Sequence, residues 1–497
     1  MSKGEFFAQL GRNTALYTLA GLITRGVSFL LLPVYTRFLT TADYGVMQLL
    51  DITVDIAAIL FVAGMTAGMQ RYYFAAKSDA ERNAVVSTTF ALEFGLGALA
   101  AAALFAAAPL ASLIGLTEPG HVLLVRIAAC NFLLGVLSSV PLLLLQSQKR
   151  AGAFLAATLA KLAMQVTLNL VFLVWFKMGV LGILYAGFIA NLIMGAVLCV
   201  WLVRSVGFQI HTEVLRQLRA FGVPYQISTA GSFILVFGDR FFLGASRTIG
   251  EVGLYGLAYQ FGFLLSSLVE GPFIRAWNPM RFQQLDLSRA ERDSACNHGL
   301  SILAVTLVFT ATAIVLFTPP VIQFVTTPEF HPAAKLVPII VAAYVTQSYT
   351  QVVAFGIDVS ARTKWYTYAT WTSVVVILVL YTVLIPRFGG FGAAWATLVA
   401  FLVRFGMTYR FAHNVWPISY RWGRVLRATG VGIGCEVSRV MIAPSGVGAG
   451  LALGVALLAA CALGLWSVAL DSDERAQVVE FARRSMMRLS FSRASTG

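Results

Sequence analysis

The chain has 497 residues, of which 58% are hydrophobic and only 12% are charged, and its mean hydropathy is +0.79. Because soluble domains carry about 25% charged residues, this composition excludes a soluble protein. It predicts an all-α polytopic membrane protein. The net charge of +14 is typical of basic cytoplasmic loops rather than of nucleic-acid binding.

Apolar runs of roughly 20 residues, the length that crosses a bilayer, recur along the whole chain and predict about fourteen transmembrane helices. The predicted spans are 14–37, 44–70, 84–108, 121–145, 152–176, 180–203, 221–245, 252–275, 297–325, 333–357, 364–385, 389–410, 424–442 and 447–470. The weakest is 424–442, because it is rich in glycine and contains Glu436 and Arg439.

Basic residues indicate how these spans are oriented. If the N-terminus is cytoplasmic, most of the 36 Lys and Arg residues fall on the cytoplasmic side of the membrane. This asymmetry predicts an even number of spans and cytoplasmic termini at both ends. A twelve-span arrangement without the last pair would keep the same orientation.

Two short patterns recur and indicate a duplication. The segment 177–185, KMGVLGILY, resembles 387–395, RFGGFGAAW, and Arg37-Phe38 before Tyr44-Gly45 recurs as Arg240-Phe241 before Tyr255-Gly256. Equivalent spans six apart form a parallel repeat, which predicts two pseudo-symmetric six-helix lobes with substrate held between them.

The predicted domain organisation follows from this repeat. Residues 1–204 form the N-lobe, 205–220 a cytoplasmic amphipathic linker, and 221–415 the C-lobe. Two further C-terminal spans occupy 416–470, and a basic cytoplasmic tail occupies 471–497. Both the linker and the tail place apolar residues on one helical face and basic residues beside them, as expected for helices that lie on anionic lipid.

Ionisable residues inside the spans are the main indication of function, since burying a charge at the bilayer centre costs about 2.5–3.5 kcal/mol even on insertion scales. Arg25 is the strongest candidate because it lies in the middle of the first span. It could bind a phosphate group through its planar guanidinium, or it could form an ion pair with Asp51 or Asp55. Both interpretations hold if a carboxylate releases the arginine when substrate arrives.

Other embedded residues extend this set. The candidates for substrate binding are Arg25, Asp51, Asp55, Arg126, Lys161, Glu270 and Arg275, and the candidates for carrying a coupling ion are Asp51, Asp55, Asp239, Glu270 and Asp358. Arg240 lies near a predicted span end, so we expect it to extend to the outer interface with Asp239 as its counter-charge.

Two prolines are candidate gating kinks. Pro33 lies within the first span, and Pro272 follows Gly271 between Glu270 and Arg275. A proline inside a helix removes a hydrogen bond and clashes with the preceding turn. We therefore expect a helix break at Pro272 that exposes backbone groups to a cavity.

Motifs for catalysis, metals or cofactors are absent from the sequence. The five histidines form no pair at metal or triad spacing, the five cysteines are scattered, and there is no phosphate-binding loop of the Walker type. We expect a protein that is not an enzyme and that needs no metal and no cofactor. Its energy source would be an ion gradient, the membrane potential or consumption of the transported product.

The opening motif resembles a known family. Arg25-x-x-Ser28-Phe29-x-x-x-Pro33-x-Tyr35-Thr36-Arg37-x-Leu39 followed by Asp43-Tyr44-Gly45, together with Asp239-Arg240-Phe241 and 252–259, is similar to the oligosaccharide and polysaccharide flippases, O-antigen type, of the multidrug/oligosaccharidyl-lipid/polysaccharide exporter superfamily. The resemblance covers most of residues 8–415.

This resemblance implies a flippase that turns a polyprenyl-pyrophosphate-linked glycan from the cytoplasmic to the outer leaflet for surface polysaccharide (O-antigen, lipopolysaccharide) biosynthesis. It implies a multi-pass protein of a bacterial inner or plasma membrane, with Arg25 near the pyrophosphate. Its partners would be membrane lipids, the lipid-linked oligosaccharide, and polysaccharide polymerase and glycosyltransferase enzymes, with no nucleic acid. The alternatives are a multidrug or cation antiporter, for which an acidic or aromatic cavity is expected, and a peptidoglycan lipid-precursor flippase.

Overall fold

A computed structural model of the chain describes residues 29–282, 288–360, 364–444 and 446–469, together with Gly21, Ile23, Thr24, Gly26, Val27 and Arg475. Over these residues the secondary structure is helical and contains no β-strand. The predicted all-α membrane fold is therefore confirmed.

The helices of the first half follow each other with short connections. They are α1 (Leu32–Phe38), α2 (Thr41–Phe61), α3 (Ala63–Ala75), α4 (Asp79–Ala107), α5 (Pro119–Ser147), α6 (Ala151–Leu170) and α7 (Gly179–Val206). A 3₁₀-helix, Ala108–Ile114, extends α4, and a π-helix, Val171–Trp175, extends α6.

The second half continues in the same way. Its helices are α8 (Thr212–Phe237), α9 (Asp239–Ser246), α10 (Ile249–Leu265), α11 (Gly271–Phe282), α12 (Arg289–Val325), α13 (Val337–Val353), α14 (Phe355–Val359), α15 (Lys364–Val415), α16 (Trp422–Ile442) and α17 (Val447–Val468). A π-helix, Ser266–Glu270, joins α10 to α11, and a 3₁₀-helix, Pro328–Lys335, precedes α13.

Ten helices in the described part of the chain are long and apolar enough to cross a membrane. One of them, α15, covers two predicted spans. Gly389, with a positive φ of 54°, interrupts α15 between these two spans. Most of the first predicted span lies outside the described residues. The count of about fourteen spans stays a prediction.

Two predicted spans are divided by short irregular turns. The second is split at Val62 into α2 and α3, and the seventh is split at Gly238 into α8 and α9. Residues 212–220 of the predicted linker form the first turns of α8, which continues into the apolar segment without a break. Its interfacial location stays a prediction.

The described helices fall into two compact units. The first unit comprises Met1–Leu257, Val325–Phe330 and Val374–Thr397. Two apolar clusters stabilise it. One includes Met69, Phe90 and Val140, and the other includes Ala57, Ala100 and Val136.

Glycines allow α2 and α10 to approach closely inside the first unit. A Cβ on Gly45 would lie 2.0 Å from Ile249 O, and a Cβ on Gly253 would lie 2.1 Å from Thr41 O. No side chain fits at such distances, so the two helices make backbone contact through small residues, as membrane helices often do. The repeated Tyr-Gly motifs of the two halves thus pack against each other.

The second unit comprises Ala258–Phe324, His331–Ser373 and Leu398–Gly497. Its apolar clusters include Val308, Ala428 and Cys461 in one group, and Trp277 and Phe355 in another. A mainly apolar cavity of about 350 Å³ lies between α12, α13, α15 and α16. The predicted division into lobes at 204 and 221 stays a prediction.

Candidate functional site: ionisable residues within the membrane helices

Two carboxylates lie one turn apart on α2. Asp51 and Asp55 are both exposed, whereas Leu49, Ile52 and Ala57 on other faces of the helix are buried. Because a carboxylate that faces acyl chains is costly, we expect the exposed face of α2 to border water or headgroups rather than lipid tails. The two carboxylates also interact with each other electrostatically.

A phenol and an amide lie beside these carboxylates. Tyr35 of α1 is close enough to interact electrostatically with Asp51, and its hydroxyl accepts a hydrogen bond from Asn169 Nδ2 at 2.8 Å. Asn169 is almost completely buried, and its Oδ1 has no partner among the described residues. It lies two residues before the π-helix of α6, a kind of distortion that often accompanies functional sites.

Two further cations of the first half are half-buried. The Arg126 guanidinium lies 5.0 Å from the centre of the Phe105 ring, a cation–π distance. Its Nε has no hydrogen-bond partner in the part of the chain that the structure describes. Lys161 lies on α6, two turns before Asn169, and forms no ion pair with any described residue.

Asp239 and Arg240 form a sealed ion pair. Arg240 Nη1 lies 2.8 Å from Asp239 Oδ1 and donates at 3.0 Å to Val236 O. Tyr255 donates to the other carboxylate oxygen, Oδ2, at 2.6 Å. The expectation that Arg240 reaches the outer interface is wrong: the residue is 1% exposed. The reason is that neighbouring groups neutralise the guanidinium in place, so it needs no contact with water.

Glu270 lies at the end of the π-helix between α10 and α11. Its Oε2 accepts hydrogen bonds from Ser266 Oγ at 2.9 Å and from Ser348 Oγ at 3.2 Å. The expectation of a helix break at Pro272 is wrong, because the chain stays helical from Ile249 to Trp277 through a single π-helical stretch. The wider turn accommodates the proline ring and its missing N–H without opening the backbone.

Arg404 is the second completely buried arginine of the described chain. It is 2% exposed, donates from Nη1 to Gln347 Oε1 at 3.3 Å and donates from Nη2 to the Tyr366 hydroxyl. Arg404 also interacts electrostatically with Glu270. The second unit therefore contains a buried polar network that joins α13, α15 and the π-helix.

The remaining predicted residues are spread over several elements. Arg275 is exposed on α11, and Asp358 is exposed on α14. Pro33 is in the first turn of α1, where a proline costs little because no intrahelical hydrogen bond is lost. Arg25 lies outside the described residues.

The structure thus brings some candidates together and separates others. Asp51 and Asp55 lie beside Tyr35, and Glu270 interacts with Arg404, but Arg126, Lys161 and Arg275 have no neighbour from the candidate set within ion-pair distance among the described residues. Sequence reasoning missed Asn169 and the role of Tyr255. The signal for Asn169 was a polar residue within an apolar run, and the signal for Tyr255 was its place in the Tyr-Gly repeat, but neither identifies a partner.

Long apolar helices that carry ionisable and hydrogen-bonded polar groups are typical of membrane transporters. The chain belongs to the polysaccharide biosynthesis protein family, whose family model matches residues 10–284, more than half of its length. The resemblance stated from the opening motif is therefore confirmed.

Solved structures show the same fold. The chain is similar to the lipid II flippase MurJ in its inward closed conformation, with a TM-score of 0.72, 11% identity, and coverage of 90% of this chain and 98% of that one. It is also similar to a multidrug resistance MATE family transporter of the MOP superfamily in its inward-facing conformation, with a TM-score of 0.60, 14% identity, and coverage of 78% and 94%. None of the curated proteins compared with the chain matches it.

Proposed function

We propose that this protein is a lipid-linked oligosaccharide flippase. It would move a polyprenyl-pyrophosphate-linked glycan from the cytoplasmic to the outer leaflet of a bacterial inner or plasma membrane for surface polysaccharide biosynthesis. The observation that carries the proposal is a transporter fold on a chain of the polysaccharide biosynthesis family. Glycans are built on membrane-bound lipids, so the step that a transporter supplies to this process is movement of the lipid-linked sugar.

The embedded cations support a substrate that carries phosphate. Arg25, Arg126, Lys161 and Arg275 are proposed to meet the pyrophosphate at different stages of its passage, because each is a basic group within or beside a predicted span. Guanidinium groups bind phosphate oxygens in a bidentate manner, which a lysine does not reproduce. Asp51 and Asp55 would hold Arg25 until substrate arrives.

The protein would act without catalysis or cofactor. Glycosyltransferases would build the lipid-linked oligosaccharide before the flip, and a polymerase would consume it afterwards. Asp51, Asp55, Glu270 and Asp358 are the proposed carriers of a coupling ion, whereas Asp239 is left out because Arg240 and Tyr255 engage both of its carboxylate oxygens. Pro33 and Pro272 are the proposed points of helix bending.

The proposal is tested by glycan export in cells that lack the chromosomal gene. Arg25→Ala is expected to abolish surface glycan while the protein remains abundant in the membrane, and Arg25→Lys is expected to restore only part of it. Arg387→Ala, which removes an exposed arginine outside the candidate set, serves as the control and should export normally. Undiminished surface glycan in the Arg25→Ala cells would overturn the assignment.

A second function has specific support from α2. Asp51 and Asp55 are exposed carboxylates beside Tyr35, and an acidic, aromatic surface is suited to an organic cation, the substrate of a multidrug antiporter. Efflux of a cationic dye from cells that carry the protein distinguishes the two. We expect no efflux above the vector control, whereas dye efflux that is lost in Asp51→Asn would favour the antiporter.

A peptidoglycan-precursor flippase of the same superfamily is the other alternative. It differs from the proposed function in the glycan carried and not in the expected chemistry of the site. Depletion of the protein separates the two, because loss of a peptidoglycan flippase causes cell lysis. We expect loss of surface polysaccharide with intact cells.

A further inference from the structure

Glu93 is a completely buried carboxyl group at the middle of α4. The residue is 0% exposed and lies halfway between the ends of the helix, Asp79 and Ala107. Val86, Phe90, Gly97 and Ala100 flank it at spacings of three and four residues, so all five share one helical face. The other four are apolar or glycine, which leaves Glu93 as the one ionisable group in this stripe.

Apolar residues of the neighbouring helix α5 pack against α4 on both sides of Glu93 along the helix. Phe90 packs with Val140 in one apolar cluster, and Ala100 packs with Val136 in the other. Gly97 allows this close approach, since a Cβ there would lie 3.1 Å from Val136 Cγ2. Glu93 therefore lies in an apolar seam between α4 and α5.

The hydrogen bonds of Ser139 indicate the protonation state of Glu93. The Ser139 hydroxyl lies 2.5 Å from Glu93 Oε2 and 3.0 Å from Val136 O, and it has donor geometry toward both acceptors. A hydroxyl has only one proton. Both contacts are complete hydrogen bonds only if Glu93 carries a proton and donates to Ser139 Oγ, while Ser139 donates to Val136 O.

No nearby cation replaces this proton. Glu93 Oε1 has no partner among the described residues, and no described Lys, Arg or His lies within ion-pair distance of the carboxyl group. The helices packed against α4 are α2, α3, α5, α7 and α8. Among the side chains that the structure describes on these helices, the titratable and charged groups are Asp43, Asp51, Asp55, Arg71, Tyr44, Tyr72, Tyr73, His121, Arg126, Cys130, Tyr185, Cys199, Arg204, Glu213, Arg216 and Arg219.

The charged members of this set are exposed or engaged elsewhere, and none of them forms a described ion pair with Glu93. Asp51 and Asp55 are on the exposed face of α2, away from Ala57, which packs toward α4. Arg71 lies over the Phe221 ring, and Glu213 pairs with Arg216. Arg126 lies over Phe105, about 18 Å along α4 from Glu93. An ionised Glu93 would thus be an unpaired buried charge, which is far costlier than the neutral acid.

We propose that Glu93 is a proton-binding site that couples transport to the proton gradient, an inference that rests on the proposed flippase function. With the seam closed, the O–H bond of Glu93 is intact and donates to Ser139. When the seam opens to water, this O–H bond breaks, the proton passes to water, and Glu93 is left as a solvated carboxylate. Because protonation favours the closed seam, closing the seam favours protonation by the same free energy.

Pro141 is a point at which helix α5 can bend. It lies inside α5, two residues after Ser139, and its missing N–H leaves the carbonyl of Leu137 without its intrahelical donor. Kinks in membrane helices concentrate at such prolines. Bending there would separate Ser139 from Glu93 and admit water to the carboxyl group.

The first test is infrared spectroscopy of the full-length protein in lipid nanodiscs at about pH 7. A carbonyl band from a protonated carboxylic acid is expected in wild type, absent in Glu93→Gln and retained in the matched control Glu329→Gln, which changes an exposed glutamate. In Ser139→Ala the band is expected to persist at a shifted frequency, because the acid loses its acceptor. Absence of a Glu93-dependent band would overturn the proposal.

The second test measures glycan export in cells that lack the chromosomal gene. Glu93→Gln mimics the protonated form permanently, so export is expected to fall by more than about tenfold at unchanged protein abundance, while Glu329→Gln exports normally. Wild-type export is expected to fall when a protonophore dissipates the proton gradient. Normal, protonophore-sensitive export by Glu93→Gln would overturn the coupling role.

The two measurements separate this inference from the proposed function. If wild type itself restores no glycan, the flippase function fails, and the coupling role fails with it. The infrared band still decides whether Glu93 binds a proton. If wild type exports glycan and Glu93→Gln does too, the function stands and only this inference fails.

Discussion

Asp239 and Asp51 are both carboxylates that the sequence places inside predicted spans, yet the structure gives them opposite surroundings. Asp239 is 0% exposed, and both of its oxygens are engaged by Arg240 and Tyr255. Asp51 is exposed and has only Asp55 and Tyr35 as electrostatic neighbours among the described residues. The comparison shows that an embedded charge can either stabilise the fold or remain open to a ligand, and that the difference depends on its partners.

The largest effect is expected when the sealed pair is broken. Asp239→Ala leaves the Arg240 guanidinium buried and uncompensated, and we expect a loss of about 3–5 kcal/mol in the free energy of unfolding. Thermal unfolding of the purified protein in detergent measures it. The double variant Asp239→Asn/Arg240→Met should recover much of this loss, because no charge remains buried. A single variant as stable as wild type would show that the pair is not a structural element.

A smaller effect is expected at the other buried arginine. Arg404→Ala removes the hydrogen bonds to Gln347 and Tyr366, and we expect a loss of about 1.5–3 kcal/mol. Arg410→Ala, on the same helix but exposed, is the matched control and should unfold like wild type. If both variants unfold at the same temperature, burial of Arg404 contributes nothing to stability.

The close contact of α2 and α10 gives a test by glycine substitution. Gly45→Ala places a methyl group against Ile249 O, and overpacking of this kind costs about 1–3 kcal/mol. Gly95→Ala, where a Cβ would meet nothing within 4 Å, should be neutral or slightly stabilising because alanine favours helix. The same thermal unfolding assay measures both variants, and equal destabilisation would contradict the close approach.

The smallest effect on stability is expected at the exposed carboxylates. Asp51→Asn and Asp55→Asn remove charges that hold no described ion pair, so unfolding should change by less than about 0.5 kcal/mol. Glycan export should nevertheless fall in both variants if these residues hold Arg25 or a coupling ion. A large loss of stability with unchanged export would instead indicate that Asp51 and Asp55 stabilise the fold, as the Asp239–Arg240 pair does.

Much of the fold could be predicted from the sequence, because apolar length and helical composition identify membrane helices directly. Ten of the long helices coincide with predicted spans, and the Tyr-Gly repeat identifies two segments that pack together. Breaks such as those at Val62 and Gly238 could not be predicted, since no proline marks them. They depend on how neighbouring helices pack.

The candidate site was less predictable for a related reason. A sequence shows that Arg240 is charged and near a span end, but not that Tyr255, 15 residues away, helps to neutralise its partner within the fold. Glu93 is visible as an embedded acid, but its seam depends on α5, which is a separate helix. Whether a charged side chain is buried and neutralised, or exposed, depends on residues that are distant along the chain.

The most direct test is a flipping measurement with purified protein in proteoliposomes that contain a polyprenyl-pyrophosphate-linked oligosaccharide. A membrane-impermeant reagent that modifies the sugar reports which leaflet holds it. We predict that wild type moves the lipid-linked sugar to the far leaflet faster than protein-free vesicles do, and that Arg25→Ala does not. Transfer at the protein-free rate by correctly folded wild-type protein would contradict the flippase function.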